Sequence, residues 1–209
     1  MAKVLKTIQG KAMWAKVFEP DTKFDPVGTF SVNLVIPESE SHELSEYLET
    51  MRDSFMAEEI KRNPKLTGKL STKAVMEDAY DKEGNPTGEK ELKFKQKARI
   101  KLRDGTTSDI KVLVVDAKRN VMTGDTLIGN GSTIKVAFEP APYLMQSSKQ
   151  VGVSLRLKGV QVIDLAEYGG SGSSMFDEEE GFVAERVEKD TAGAMFDDGM
   201  TDGSTEGDF

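Results

Sequence analysis

A mainly-β fold, a small barrel or sandwich with one amphipathic helix, is what this sequence predicts. Three observations lead there. Runs in which apolar and polar residues alternate recur about seven times between residues 4 and 163. A helical period occurs once, between Ser41 and Pro64. Strand and helix do not alternate in the manner of βαβ units, which excludes a doubly wound parallel sheet.

The first run, residues 4–18, alternates loosely around Trp14, the only Trp of the 209-residue chain. Residues 29–36 alternate cleanly, with Phe30, Val32, Leu34 and Ile36 pointing one way and Ser31 and Asn33 the other. Pro37 closes that run. Ser41 is the expected N-cap of the helix, with Glu43 and Glu46 in the first turns, where carboxylates meet the positive end of the helix dipole. Leu44, Tyr47, Leu48, Met51 and Phe55 follow at helical spacing as a core-facing stripe, which Pro64 ends. His42, at the helix start, faces solvent. Strands are expected again over 73–79, 91–103, 110–115, 133–138 and 151–163. A turn of Gly84-Asn85-Pro86 and Gly88 separates the first two, and Asp104-Gly105 marks a tight turn before the third.

Charge divides the chain. The formal total of −8 argues at face value against a nucleic-acid partner, yet the acid excess belongs to one end. Residues 164–209 hold 14 carboxylates against Arg186 and Lys189 alone, a balance of −12; residues 1–163 hold 26 cations against 22 carboxylates, +4. The boundary is Gly169-Gly170-Ser171-Gly172-Ser173-Ser174, a flexible linker composition. This places one domain over 1–168 and a linker with a disordered acidic tail over 169–209. Aromatics recur in the tail: Met175-Phe176-Asp177 returns as Met195-Phe196-Asp197, and the chain stops at Asp208-Phe209. Phe among carboxylates suits short docking segments, with Phe176, Phe196, Asp208 and Phe209 as the partner-binding residues.

Composition closes several routes. No Cys and a single His leave no disulfide scaffold, no thiol catalysis and no multi-histidine metal site. No apolar run approaches the ~18 residues of a membrane span, and Met1-Ala2-Lys3 does not open a signal peptide. No cofactor is expected. Gly129-Asn130-Gly131 lacks the third glycine of a dinucleotide fingerprint.

The chemistry concentrates in residues 91–103. Lys93, Lys95, Lys97, Arg99, Lys101 and Arg103 take every second position, with Leu92, Phe94, Ala98, Ile100 and Leu102 between them. In one strand, six cations share a face while the other face buries itself. Such repulsion calls for counter-charge, from cross-strand carboxylates or from a polyanion. Lys111, Lys135, Arg156 and Lys158 could extend the patch. A basic sheet face suits unpaired strands, whose bases stack on rings while cations track phosphates. Trp14, Tyr80 and Tyr143 are the ring candidates.

At these residues the sequence resembles the single-stranded DNA-binding proteins of short-tailed, podovirus-type bacteriophages. The likeness rests on Leu34-Val35-Ile36-Pro37, Lys93-Phe94-Lys95, Val112-Leu113-Val114-Val115-Asp116-Ala117-Lys118, Ile128-Gly129-Asn130-Gly131-Ser132, Lys135-Val136, Pro142-Tyr143, Tyr168-Gly169-Gly170 and the ending Gly207-Asp208-Phe209. It implies an OB-fold-like barrel of five to seven strands, with the helix inserted after the second strand. It further implies a non-enzymatic coat for DNA intermediates in phage replication and recombination, in the cytoplasm of the infected bacterial host. Lys93 and Lys95 match DNA-contacting lysines, Tyr143 a stacking tyrosine and Phe209 a terminal anchor. The tail would dock replicative DNA polymerase and primase-helicase and would compete with DNA for the basic groove. A homodimer stays open at this point.

Two other classes compete. Asp78 or Asp81 with Glu91-Leu92-Lys93 has the Asp…Glu-x-Lys form of metal-dependent nucleases, in which carboxylates hold Mg²⁺. A protein-only adaptor would explain the tail and leave the basic strand without a role.

Overall fold

Five strands pair edge to edge until the last meets the first. A computed structural model describes residues 3–166, except 82, 103 and 125. In chain order its elements are β1 (Leu5–Lys6), β2 (Gly10–Asp21), β3 (Thr29–Pro37), α1 (Glu38–Arg62), a 3-10 turn (Pro64–Leu66), β4 (Ser71–Thr72), β5 (Glu77–Tyr80), β6 (Pro86–Lys97), β7 (Arg99–Lys101), β8 (Thr107–Asp109), β9 (Leu113–Val115), β10 (Thr133–Met145) and β11 (Gln150–Asp164). β2 lies antiparallel to β3, and β3 to β6 from Thr29↔Lys97 to Pro37↔Glu89. β6 runs parallel to β11 through Phe94↔Leu155 and Lys95↔Arg156. β11 is antiparallel to β10 along its length, and β10 returns to β2 through Thr133↔Lys11 and Ile134↔Gly10. Two short pairings, β6 with β11 and β10 with β2, complete the ring. This five-stranded, partly open arrangement is OB-fold-like, with α1 inserted after the second strand of the ring as expected.

Alternation builds the core. Val32, Leu34, Ile36, Leu92, Phe94, Ile134, Val136 and Phe138 are fully buried inside the ring. The Phe94 and Phe138 rings meet edge to face, centroids 5.1 Å apart. Gly10 lets the barrel close, because a Cβ there would sit 2.6 Å from both the Val35 carbonyl oxygen and Ile36 Cγ2.

Several boundaries differ from expectation. The run over 4–18 is two strands, and β2 extends to Asp21. Ser41 is not the N-cap: the helix starts at Glu38 behind Pro37, whose fixed φ of −57° leads directly into the first turn. Ser41 is buried, its hydroxyl donating to the Glu38 carbonyl at 2.8 Å. The helical stripe is only half core. Leu48 is buried and Leu44 packs on the core, but Tyr47 is exposed and lines an outer groove with Met51, Phe55 and Pro142. Arg52 takes the next inward position, donating to the Lys73 carbonyl (3.1 Å) and pairing with Asp53 (2.8 Å).

Candidate nucleic-acid interface

The outward faces of β3, β6 and β11 form one surface because their registers align. Ser31 on β3 faces Lys95 on β6, which faces Arg156 on β11; the row beside it pairs Asn33 with Lys93. Lys93, Lys95 and Lys97 are exposed while Leu92 and Phe94, which alternate with them, are buried and Gln96 is half-buried. A cleft of about 520 Å³ opens here, lined by Lys73, Lys93, Lys95, Tyr143 and Arg156 together with Glu77 and Glu91.

Tyr143 is half-buried against this cleft, and its placement has a specific cause. Its cross-strand partner on β11 is Gly152, where a Cβ would stand 2.7 Å from the Tyr143 hydroxyl oxygen and 2.8 Å from Cζ. The ring lies over the bare glycine, as aromatics do when they cover a glycine on a neighbouring strand.

Carboxylates meet part of the basic charge. Lys93 Nζ reaches Glu77 at 2.6 Å and Glu91 at 3.5 Å, Lys97 pairs with Asp25 (3.4 Å), and Glu139 receives Arg156 (3.4 Å) and Lys158 (3.0 Å). Lys95 has no ion pair among the described residues. The hydrogen bond from Lys93 holds the Glu77 carboxyl below its ordinary pKa of 4.5, and the same bond raises Lys93 above 10.5. Lys93 is therefore directly ion-paired, whereas Lys95 meets Glu77 only at longer range.

The expected single face of six cations is corrected. β6 ends at Lys97; a bend at Ala98, whose amide donates to the Gly28 carbonyl (2.9 Å), turns the chain out of the barrel. Arg99 and Lys101 then sit on a separate two-stranded ribbon, β7 with β8, where Arg99 pairs with Asp109 at 2.7 Å. Ile100 and Leu102, expected inside, are exposed, since a two-stranded ribbon has no second layer to cover them. Arg103 lies outside the described residues. Lys111 is exposed beyond the ribbon and does not line the cleft; Lys135 is half-buried on β10. Tyr80 is exposed at the far end of β5 and also lies off the cleft. Trp14 is exposed on β2, in a different groove. Phe176, Phe196, Asp208 and Phe209, with the whole expected tail, lie outside the described residues.

Two further residues belong to the site and carried no obvious signal. Lys73 sits in a short polar run, and Gly152 reads as a weak point in a strand. Phe24, 90% exposed in the β2–β3 loop, does not line the cleft. A nuclease centre is not assembled. Asp78 accepts from Lys90 (2.6 Å), Asp81 from the Asn85 backbone and side-chain amides (2.8 and 3.2 Å), and Glu91 from Asn33 (2.8 Å). Among the described residues no group of three His, Cys, Asp or Glu side chains is placed to hold a metal ion.

A family model described as "Single-stranded DNA-binding protein, Bacteriophage T7" matches residues 10–165. The chain belongs to this family. The single-stranded DNA-binding protein of Escherichia phage T7 is 28% identical over 170 residues, 77% of this chain and 73% of that protein. The crystal structure of gp2.5, the single-stranded DNA-binding protein encoded by bacteriophage T7, superposes with a TM-score of 0.63 at 26% identity, covering 88% of this chain and all of that one. The single-stranded DNA-binding protein of bacteriophage Enc34, solved in complex with single-stranded DNA, shares the fold at TM-score 0.51 and 14% identity over 80% of this chain and 89% of that one. The family is one of binding proteins rather than enzymes. No helix among the described residues is long and apolar enough to cross a membrane.

Proposed function

We propose that this protein is a non-enzymatic coat for single-stranded DNA, holding the strand across β3, β6 and β11 with little sequence preference. The observation that carries the proposal is the convergence of Lys93, Lys95 and Arg156 with the half-buried Tyr143 ring on one open cleft, in a member of this phage family. The second and third barrel strands are the face on which OB folds take oligonucleotides. Cations spaced along a strand track phosphates, and a ring held flat offers a platform to any base. Lys97, Arg99, Lys101 and Lys111 continue the phosphate path towards the β7–β8 ribbon, Arg103 is a further DNA-contacting candidate by sequence, and Tyr80 is the outlying ring. Among the described residues the cleft is built on strands and no recognition helix stands beside it to enter a major groove, so duplex DNA is the poorer ligand.

The coat protects DNA intermediates during replication and recombination in the cytoplasm of the infected bacterium. The acidic C-terminal segment, −12 over residues 164–209, competes with DNA for the basic face at high effective concentration and docks DNA polymerase and primase-helicase through Phe176, Phe196 and the terminal Asp208-Phe209. Removing residues 176–209 then tightens DNA binding and abolishes that docking, whereas removing Phe209 alone impairs docking far more than DNA binding. Pairing into a homodimer is read from sedimentation of the full chain.

Titrating salt against binding to single- and double-stranded oligomers tests the central proposal. Single-strand affinity falls with a log–log slope near −0.7 per neutralised phosphate. A constant indifferent to salt, tighter duplex binding, or Mg²⁺-dependent cleavage of the strand would refute it.

A further inference from the structure

Trp14 combines two unfavourable features. Its φ is +54°, left-handed backbone that a bulky residue rarely adopts. Its indole is 66% exposed, although a tryptophan placed for packing alone would be largely buried. Strained backbone persists only where its surroundings over-determine it, and it gathers at ligand sites.

The surroundings that hold it are visible. The β2–β3 register slips between Met13 and Lys16, so β2 bulges at Trp14. The turn over 128–132 clamps this bulge: the Ala12 amide donates to the Ser132 carbonyl (2.8 Å) and the Gly131 amide to the Ala12 carbonyl (2.9 Å). The Trp14 amide donates to Asn130 Oδ1 at 2.8 Å. Ser132 is itself locked, its hydroxyl donating to the Gly129 carbonyl (2.8 Å) and accepting from the Ala166 amide (3.0 Å). The Asn130 side chain alone in this turn reaches the bulged residue.

The indole stands over a groove of about 760 Å³ that Lys16, Phe18, Ser31 and Leu127 also line. Lys16 faces Ser31, and Ser31 faces Lys95, so one cross-strand row joins this groove to the Tyr143 cleft. Two strand spacings, roughly 10 Å, separate the two lysines. Glu19 and Asp21 also line the groove and disfavour phosphate there, leaving the Lys16 side to the DNA backbone.

We propose that Trp14 is a second base-stacking subsite for the same strand, and that Asn130 is a positioning residue that holds the indole outward. This rests on the single-strand reading above. It gives the Ile128-Gly129-Asn130-Gly131-Ser132 segment a task, and it runs the strand from Tyr143 over Lys95 and Lys16 to Trp14.

Because Trp14 is the sole Trp, intrinsic emission of the full chain reports this subsite alone. Saturating oligothymidylate should quench it, while anisotropy of a labelled copy of the same oligomer reports binding independently. Trp14→Ala should weaken binding about 5- to 150-fold, the range of one base–ring stack, with Trp14→Phe largely restoring it. Asn130→Ala should lose most of the quenching at saturation, and Asn130→Asp, which keeps the acceptor oxygen, should recover it. Unchanged emission on a DNA-saturated protein overturns the subsite while leaving the Tyr143 cleft standing. Full quenching in Asn130→Ala overturns the positioning role. No anisotropy change in any form refutes the single-strand reading itself.

Discussion

Lys93 and Lys95 lie two residues apart on the same strand face and differ in their partners. Lys93 is held by Glu77 and Glu91, so DNA must displace a carboxylate to use it; Lys95 is available at once. Glu77→Gln should tighten single-strand binding by up to about fivefold, the scale of an exposed ion pair, in parallel equilibrium titrations. The pH dependence has a definite sign. Glu77 titrates below 4.5 in the folded protein, so its contribution to stability is full above that value and is lost as pH falls through the depressed one. Lys93 titrates above 10.5, and its share is lost as pH rises through the raised value. Acid denaturation should therefore separate wild type from Glu77→Gln at neutral pH and bring them together at low pH. At Tyr143, truncation to Ala should cost about 1–3 kcal/mol of single-strand binding. Gly152→Ala, which puts a methyl where the ring lies, should reproduce part of that loss while circular dichroism stays unchanged. Tyr143 is a ring candidate by sequence, but it lies beyond the strand expected over 133–138; β10 carries it because that strand runs on to Met145. Gly152 was not legible, because what makes it matter is a partner across the sheet.

At the scale of elements, period-two alternation located β3 and the buried half of β6 correctly, since both sit in the ring with one face inward. It failed where the same pattern continues without a second layer. Residues 98–103 alternate as regularly as 91–97, but the Ala98 amide bonds to Gly28 and the Ile110 amide returns to the Ala98 carbonyl at 2.7 Å, closing the base of a projecting ribbon. The Asp104-Gly105 turn was readable, with Gly105 at φ +87°; where the strand left the barrel was not. The helix misled for a related reason. Tyr47, Met51 and Phe55 have the spacing of a core stripe, yet the inward path runs through Ser41, Leu48 and Arg52. Replacing 99–109 by a short turn should leave a cooperative thermal transition near that of wild type, because the ribbon contributes none of the buried core residues. Loss of that cooperativity would show that the ribbon braces the barrel.

Over the whole molecule, closure and charge distribution decide the outcome. The ring is completed by two short pairings, of which Gly10 permits β10–β2. Gly10→Ala should cost about 1–3 kcal/mol through overpacking, and Phe94→Ala about 3–5 kcal/mol through the cavity beside Phe138, both read by urea denaturation. A net charge of −8 concealed a +4 body, and that body carries the cleft. The most direct test of the proposed function is the salt dependence of single-strand binding by the full chain, measured beside Lys95→Ala. If Lys95 neutralises a phosphate, the log–log slope becomes shallower by about 0.7 and affinity falls across oligomers of different sequence alike. An unchanged slope would contradict DNA binding at this cleft.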